Sequence, residues 1–434
     1  MYGLRIFIRY LWQVERQPRD TGNKEQEHFV QQYIENMSNQ SKHKTDLRDR
    51  IRGSLIGGAI GDALGYTVEF WSKKQILSHY GESGIRQFEL ASNGKAIVSD
   101  DTQMTLFTGN GLLNWWNNSL RLPGVPIRSF VENAYLDWYY TQTGEAKRAA
   151  NAQEQHYTWL YHLPELACRR APGNTCMSAC KTLLVGLQPN NSSKGCGGIM
   201  RVAPVGLMQA AYISAKGEKL LSDIHLTETA ATIAKITHQH PLGYLPASLL
   251  AMLIARVALE TQENAKKSIR DIVREVLELV MQYENNDDLR QLTDRAIHMA
   301  QSTISDADAI WVLGEGWTGD EAWAIAIYCV LRHIDSPRDA IIAAVNHNGD
   351  SDSTGSIVGN IMGTIYGYEA MKNERLFCSD GKDLEETLEL SNVILAVADD
   401  LALFPHVSDY SKTLTREQAE RWYQRYGLLN PSGL

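Results

Sequence analysis

Residues 346–367 read NHNGDSDSTGSIVGNIMGTIYG, a loop-to-helix junction holding two carboxylates, two hydroxyls and four evenly spaced glycines. Asp350 and Asp352 stand two apart in a Gly-led loop, a spacing that lets both carboxylates face one point, as a helix would not allow. Ser353 and Thr354 follow as hydroxyl oxygens. The apolar run Ile357, Val358, Ile361, Met362 and Ile365 then has the three-and-four spacing of a buried helix. A dense set of oxygen donors without a nearby Cys suits a hard dication. The plain alternative is capping, because Asp and Ser side chains accept the free amides of a helix's first turn.

Gly355, Gly359, Gly363 and Gly367 recur every four residues and form one ridge on the helix. Each costs about 1 kcal/mol relative to Ala in a helix interior, so a compensating close helix–helix approach is expected. The same period appears in RGSLIGGAIGDALG, at Gly53, Gly57, Gly61 and Gly65. The two distant segments are therefore expected to pack on each other near the centre of the fold.

The chain has 434 residues, 44% of them hydrophobic, enough for one large core with appendages. A net charge of −9 with acids and bases interspersed argues against a nucleic-acid partner bound by phosphate neutralisation. Six cysteines make no disulfide framework, and Cys176 with Cys180 at helical spacing read as small core residues, in keeping with a reducing cytoplasm. The opening MYGLRIFIRYLWQV is broken by Arg5 and Arg9 and lacks a cleavage site, and no run reaches the roughly 20 apolar residues of a membrane helix. A soluble, unsecreted protein is expected. Residues 1–45 are polar after that opening and lack a core-facing stripe, so they read as an extension to a domain spanning 46–434.

From residue 46 the periodicity is helical nearly throughout, predicting an all-α core with helices over 103–116, 127–140, 227–238, 246–259, 269–283, 288–301, 319–332 and 337–345. Residues 245–259 are apolar nearly all round, which predicts a central helix. Thr415 and Gln418 have the spacing of a capping box.

A second acid cluster, VSDDTQMTLFT, places Ser99, Asp100, Asp101 and Thr102 ahead of a helical run. Adjacent carboxylates suit a helix start electrostatically, yet they repel each other, and a dication would relieve that. Two such clusters point to one shared two-metal site. Asp62 and Glu69 lie on or beside the first glycine ridge and, on an apolar segment, need partners; Asp62 is expected to bond neighbouring backbone and Glu69 to reach substrate. In KGCGGIMRVAP, the glycines Gly195, Gly197 and Gly198 allow backbone amides to approach an anion. Lys194 and Arg201 add positive charge there, Arg201 being equally able to pair with a core acid. Cys196 has no base assigned to it by spacing, so it reads as a small loop residue rather than a nucleophile. His238 and His240 suit ligand contact or structure better than a metal. His347 is a candidate hydrogen-bond donor to substrate or to a residue behind it. Trp317 can offer a stacking surface, with Trp323 in the core.

The ordered set GDALGYTVEF, SDDTQMTLFT, KGCGGIMRVAP, THQHP, GWTGDEAWAIAIYC and NHNGDSDSTGSIVGNIMG resembles the ADP-ribosylglycohydrolase family over roughly residues 48–370. The resemblance implies an all-α orthogonal bundle with two central Mg²⁺ ions, Mn²⁺ being an alternative. By match, Ser99, Asp100, Asp101, Asp350, Asp352 and Ser353 would ligate metal, Ser353 standing for a Thr frequent in the family. Glu69 would sit over the active site, and Asp101 and Glu69 would carry the proton transfers. Residues 195–200, including Met200, would hold the diphosphate or ribose, and Cys196 stands where some members have Asn. The implied activity is hydrolysis at the ribose anomeric carbon of ADP-ribosylated protein side chains, arginine first, with ADP-ribosyl-serine or O-acetyl-ADP-ribose as alternatives. Residues 1–45 resemble the extension of immunity proteins that bind an ADP-ribosyltransferase toxin. A silent binding relative and a phosphohydrolase that releases AMP are the competing readings.

Overall fold

The computed structural model describes residues 47–119, 124–144, 156–373, 377–378, 382–407 and 414–427. The extension predicted at 1–45 lies outside the described residues. Among those described, 18 α-helices account for the regular structure, and β-type pairing is limited to isolated bridges at Ala96/Leu388 and Gly195/Thr318. The expected all-α class is what the chain adopts.

In chain order the helices are α1 (Leu47–Tyr66), α2 (Lys73–Tyr80), α3 (Asp100–Ser119), α4 (Ile127–Thr143), α5 (Asn174–Leu184) and α6 (Ala203–Lys216). Next come α7 (Asp223–Lys235), α8 (Pro241–Val257), α9 (Gln262–Tyr283), α10 (Asp287–Met299), α11 (Asp306–Leu313) and α12 (Gly319–Arg332). The set closes with α13 (Pro337–Val345), α14 (Ser351–Tyr366), α15 (Tyr368–Asn373), α16 (Leu384–Thr387), α17 (Ser391–Leu403) and α18 (Arg416–Tyr426).

The two glycine ridges meet, as their spacing predicts. Helices α1 and α14 run antiparallel with Gly53 against Gly363, Gly57 against Gly359 and Gly61 against Gly355, and a Cβ added at any of these would fall within 3 Å of the facing backbone. Hydrogen replaces side chains along the whole seam, so backbone packs on backbone and the propensity cost is offset by close contact. Two details differ from the expectation. Gly367 lies just past the last helical residue, closing α14 at φ +82 while its backbone still packs on Gly53, and Gly65 faces Ser351 instead of a glycine. Residues 351–365 of α14 are all buried, which makes this helix the axis of the bundle.

Helix α8 is buried on nearly every side, as its composition predicts, but it starts at Pro241 and not near 246. His240 caps it, its Nδ1 accepting from the Leu242 amide at 3.1 Å. Pro246 inside the helix withholds an N–H from the turn before it. Gly319, opening α12, packs against the Leu242 carbonyl left there, and a Cβ on Gly319 would stand 2.6 Å from that oxygen. The predicted windows at 319–332 and 337–345 coincide with α12 and α13, and the Thr415/Gln418 capping box is present. Helix α7 runs 223–235 rather than 227–238, because Ser222 caps it through the His225 amide.

Candidate active site

Antiparallel packing brings the C-terminal end of α1 to the N-terminal end of α14, and the site is built at that meeting. Asp62, wholly buried in α1, accepts from the Ser99 amide at 2.9 and 3.1 Å, from the Thr102 amide at 3.0 Å and from the Thr102 hydroxyl. It therefore caps α3, 37 residues on in the chain, from another helix, rather than bonding the neighbouring backbone as expected. Ser99 accepts from the Asp101 amide at 3.1 Å. The same loop is tied from outside: Asp100 donates its amide to the Arg170 carbonyl at 3.0 Å, Glu389 accepts the Val98 amide at 3.1 Å, and Arg170 donates to Glu389 at 2.6 Å.

The second cluster caps itself. Asp350 is the N-cap of α14 and accepts from the Ser353 amide at 3.3 Å, while Asp352 accepts from the same amide at 3.0 Å. Gly349 must be glycine: it sits at φ +106 with the Glu315 backbone against it, and the next residue, Asp350, donates its amide to the Glu315 carbonyl at 2.8 Å.

Glu69, Asp100, Asp101, Asp350, Asp352 and Ser353 line one wall of a cleft with about 170 Å³ of free volume. Gly195, Cys196, Gly197, Met200 and His238 form another wall, and Trp317 stands with them. The glycine loop lies flat on His238, since a Cβ at Gly195 or Gly197 would come within 3 Å of its ring. Three predicted site residues do not line the cleft. Ser99 is fully buried behind Asp101. Gly198 packs on the Gly243 carbonyl. His347 is turned away, its Nε2 2.9 Å from the Thr354 hydroxyl and its Nδ1 2.6 Å from the Asn348 carbonyl, so it braces α14.

Sequence inspection missed the third wall, Ala171 and 173–176, where the first turn of α5 opens toward the cleft. The only signal there was Pro172-Gly173-Asn174, a turn ahead of a helix. Arg201 pairs with no core acid among the described residues; it donates to the Thr237 hydroxyl at 2.6 Å and lies 4.5 Å from the Tyr135 ring centroid. Trp323 is buried in the core, as expected.

Five carboxylates share this cleft, and among the described residues no Lys or Arg lines it. Burial, with the fields of neighbouring acids, pushes Asp100, Asp101 and Asp352 well above the ordinary carboxylate range. Glu69 is pushed up to about 9 by burial first and then by Asp350, Asp100 and Asp62. Burial carries Asp62 to about 6, although its hydrogen bonds pull the other way. His238 is lowered to about 3 by burial and by Arg201, so its ring is neutral. Burial and Asp350 raise the Cys196 thiol, which donates to Asp350 Oδ2 at 2.6 Å; a protonated thiol of this kind is no nucleophile, in agreement with its expected role.

Asp101 Oδ2 and Glu69 Oε2 are buried without a hydrogen-bond partner. Unmatched buried acid oxygens facing a polar cleft, with oxygen donors around them, are the chemistry a hard dication satisfies. Among the described residues no three His, Cys, Asp or Glu groups are already gathered into a closed coordination shell, so the donors match a hard cation in kind without forming a finished cage.

An all-α bundle that gathers carboxylates from two helix N-termini at one cleft defines a hydrolase-type centre suited to dication assistance. The chain belongs to the ADP-ribosylglycohydrolase family, which it matches over residues 43–405, a longer span than its motifs alone suggest. It is 24% identical to the ADP-ribosyl-[dinitrogen reductase] glycohydrolase of Rhodospirillum rubrum over 365 residues, covering 81% of this chain and 97% of the relative. With ADP-ribosylhydrolase ARH3 of Mus musculus the identity is 27% over 354 residues, 74% of this chain and 84% of the relative. A solved structure titled ADP-ribosylglycohydrolase-related protein complex superposes with a TM-score of 0.52 at 20% identity, covering 83% of this chain and 99% of that one, and so shares the fold. Membership supports hydrolysis of ADP-ribosylated substrates and divalent-metal dependence in general. Among the described residues no helix is long and apolar enough to cross a membrane.

Proposed function

We propose that the protein is a Mg²⁺-dependent hydrolase that removes ADP-ribose from modified arginine side chains by cleaving the bond at the ribose anomeric carbon. The observation that carries it is the cleft wall of five carboxylates with two orphaned oxygens and no balancing cationic side chain. Asp100, Asp101, Asp350, Asp352 and Ser353 would hold the cations directly, with Ser99 close behind; Mn²⁺ suits the same oxygen donors. Bound dications supply Lewis-acid stabilisation and a water of lowered pKa.

The chain's own residues do the rest. Asp101, with its free Oδ2, accepts the proton of the attacking water, a role that needs its carboxyl ionised and hence positive charge among these acids. Glu69 keeps its proton at neutral pH through burial and gives it to the departing nitrogen. The water oxygen bonds the anomeric carbon, the carbon–nitrogen bond breaks, and intact ADP-ribose leaves alongside free arginine. Gly195, Cys196, Gly197 and Met200 offer a wall flat enough for the ribose or diphosphate, and the neutral His238 ring, held by the Thr237 hydroxyl at 2.8 Å, supports that wall from below. Gly198 braces it through the Gly243 carbonyl, while His347 braces α14.

The test is incubation of the full-length protein with an arginine-ADP-ribosylated protein, with Mg²⁺ or a chelator, and mass identification of what is released. Intact ADP-ribose lost on chelation is expected. AMP would make the protein a phosphohydrolase, and release only from ADP-ribosyl-serine or O-acetyl-ADP-ribose would reassign the linkage. The toxin-binding role of residues 1–45 is tested separately by comparing toxin affinity of the full and truncated chains; equal affinity removes it.

A further inference from the structure

Phe70 and Trp317 are an exposed aromatic pair. Phe70 is 71% exposed and Trp317 39% exposed. Their rings stack on each other, centroids 6.0 Å apart and 21° from parallel. Leaving such area in water forgoes the stabilisation that burying an aromatic side chain brings, so the pair invites a reason outside folding.

Its position supplies one. Trp317 lines the cleft, and Phe70, stacked on it, directly follows the cleft residue Glu69. The Trp317 backbone is fixed: its carbonyl accepts the Cys196 amide at 3.1 Å, and Gly319 donates to the Lys194 carbonyl at 2.8 Å. Gly316, at φ +81, presses the same loop against the start of α14, where a Cβ would meet the Thr354 side chain at 2.9 Å and the Asp350 carbonyl at 3.3 Å. The Trp317 ring is thus presented by a fixed turn, with Phe70 stacked on it, beside a cleft with no cationic side chain among its lining residues.

A flat aromatic face stacks a planar guanidinium through the attraction of its ring for a cation. We infer that Phe70 and Trp317 form the leaving-group subsite of the cleft, a stacked aromatic rim whose open face takes the guanidinium of the modified side chain. This rests on the hydrolase reading above and narrows it, because an ADP-ribosyl-serine substrate has no planar cation to place there. The nucleotide end has its own wall, the glycine loop and the first turn of α5, where backbone amides suit the diphosphate.

The experiment uses the full-length protein with Phe70→Ala, Trp317→Ala and Trp317→Phe. Each Ala variant is expected to raise KM for an ADP-ribosyl-arginine peptide about tenfold, the scale of a partly desolvated cation–π contact. Trp317→Phe should recover most of the loss, the Kd of free ADP-ribose should stay unchanged, and agmatine, as the guanidinium probe, should bind the parent protein and not the Ala variants by calorimetry. An equal loss of ADP-ribose affinity would give the rings to adenine and overturn the proposal. Lowered thermal stability with unchanged KM and agmatine binding would make the pair structural and overturn it too. If no ADP-ribosyl linkage is cleaved at all, the hydrolase reading fails, and the agmatine measurement still decides the aromatic rim.

Discussion

The two acid clusters look alike in sequence and are built differently. At 349–354 the carboxylates of Asp350 and Asp352 both turn back to the Ser353 amide, so the cluster caps its own helix. At 99–102 the Ser99 hydroxyl takes the Asp101 amide, but the Ser99 and Thr102 amides go to Asp62, a residue of another helix, and Asp101 is left with an orphaned oxygen. Capping thus falls partly to a side chain borrowed from another helix, which leaves a local acid with one oxygen free of any hydrogen bond. The self-capped cluster contributes oxygens already partly engaged, and the borrowed-cap cluster contributes one with nothing else to do.

That division predicts unequal substitutions. Asp101→Asn is expected to lower kcat/KM on ADP-ribosyl-arginine by about 10³-fold, as loss of a proton-transfer and charge-bearing group does, while the thermal midpoint holds or rises because an unmatched buried acid is gone. Full turnover in that variant would end the assignment. Asp62→Ala should act the other way round, costing about 3 kcal/mol of stability by stranding the Ser99 and Thr102 amides and the Thr102 hydroxyl, measured by denaturant unfolding; a loss below about 0.5 kcal/mol would mean that Asp62 is not the cap that matters.

The smallest effect is a slope. Glu69 moves from an ordinary value of 4.5 to about 9 in the fold, and Asp62 from 3.8 to about 6. Raised carboxyl values mean that the folded state holds more protons than the unfolded one across these windows, so metal-free protein loses stability as pH rises from near 4.5 toward 9. The midpoint should fall by roughly 5 °C over that range in chelator, and Mg²⁺ should flatten the fall. A flat curve in chelator would show that the acids are relieved by something other than a cation.

How much of this was legible followed from the range of each signal. The glycine ridges named the central helix pair because a four-residue period is visible in one dimension and has few uses besides close packing. The caps at Asp350 and Thr415 were legible for the same reason, and α8 was misplaced at its start because Pro246 reads locally as a beginning. The cleft's third wall at 171–176, the cap supplied by Asp62 across 37 residues and the rim formed by Phe70 with Trp317 depend on which loops the helices bring together, and no local period encodes that.

The glycine seam also carries a consequence for how the protein comes to exist. Its two halves are separated by some 300 residues of chain, with Gly53 against Gly363. A nascent polypeptide therefore presents α1, side-chain-free along one face, long before its partner is synthesised. Loop closure over that span is slow, and larger chains of this kind fold through intermediates in which such surfaces stay uncovered. The cleft, assembled where the seam ends, cannot form until α14 is present, and a chain cut short before α14 has neither centre nor site.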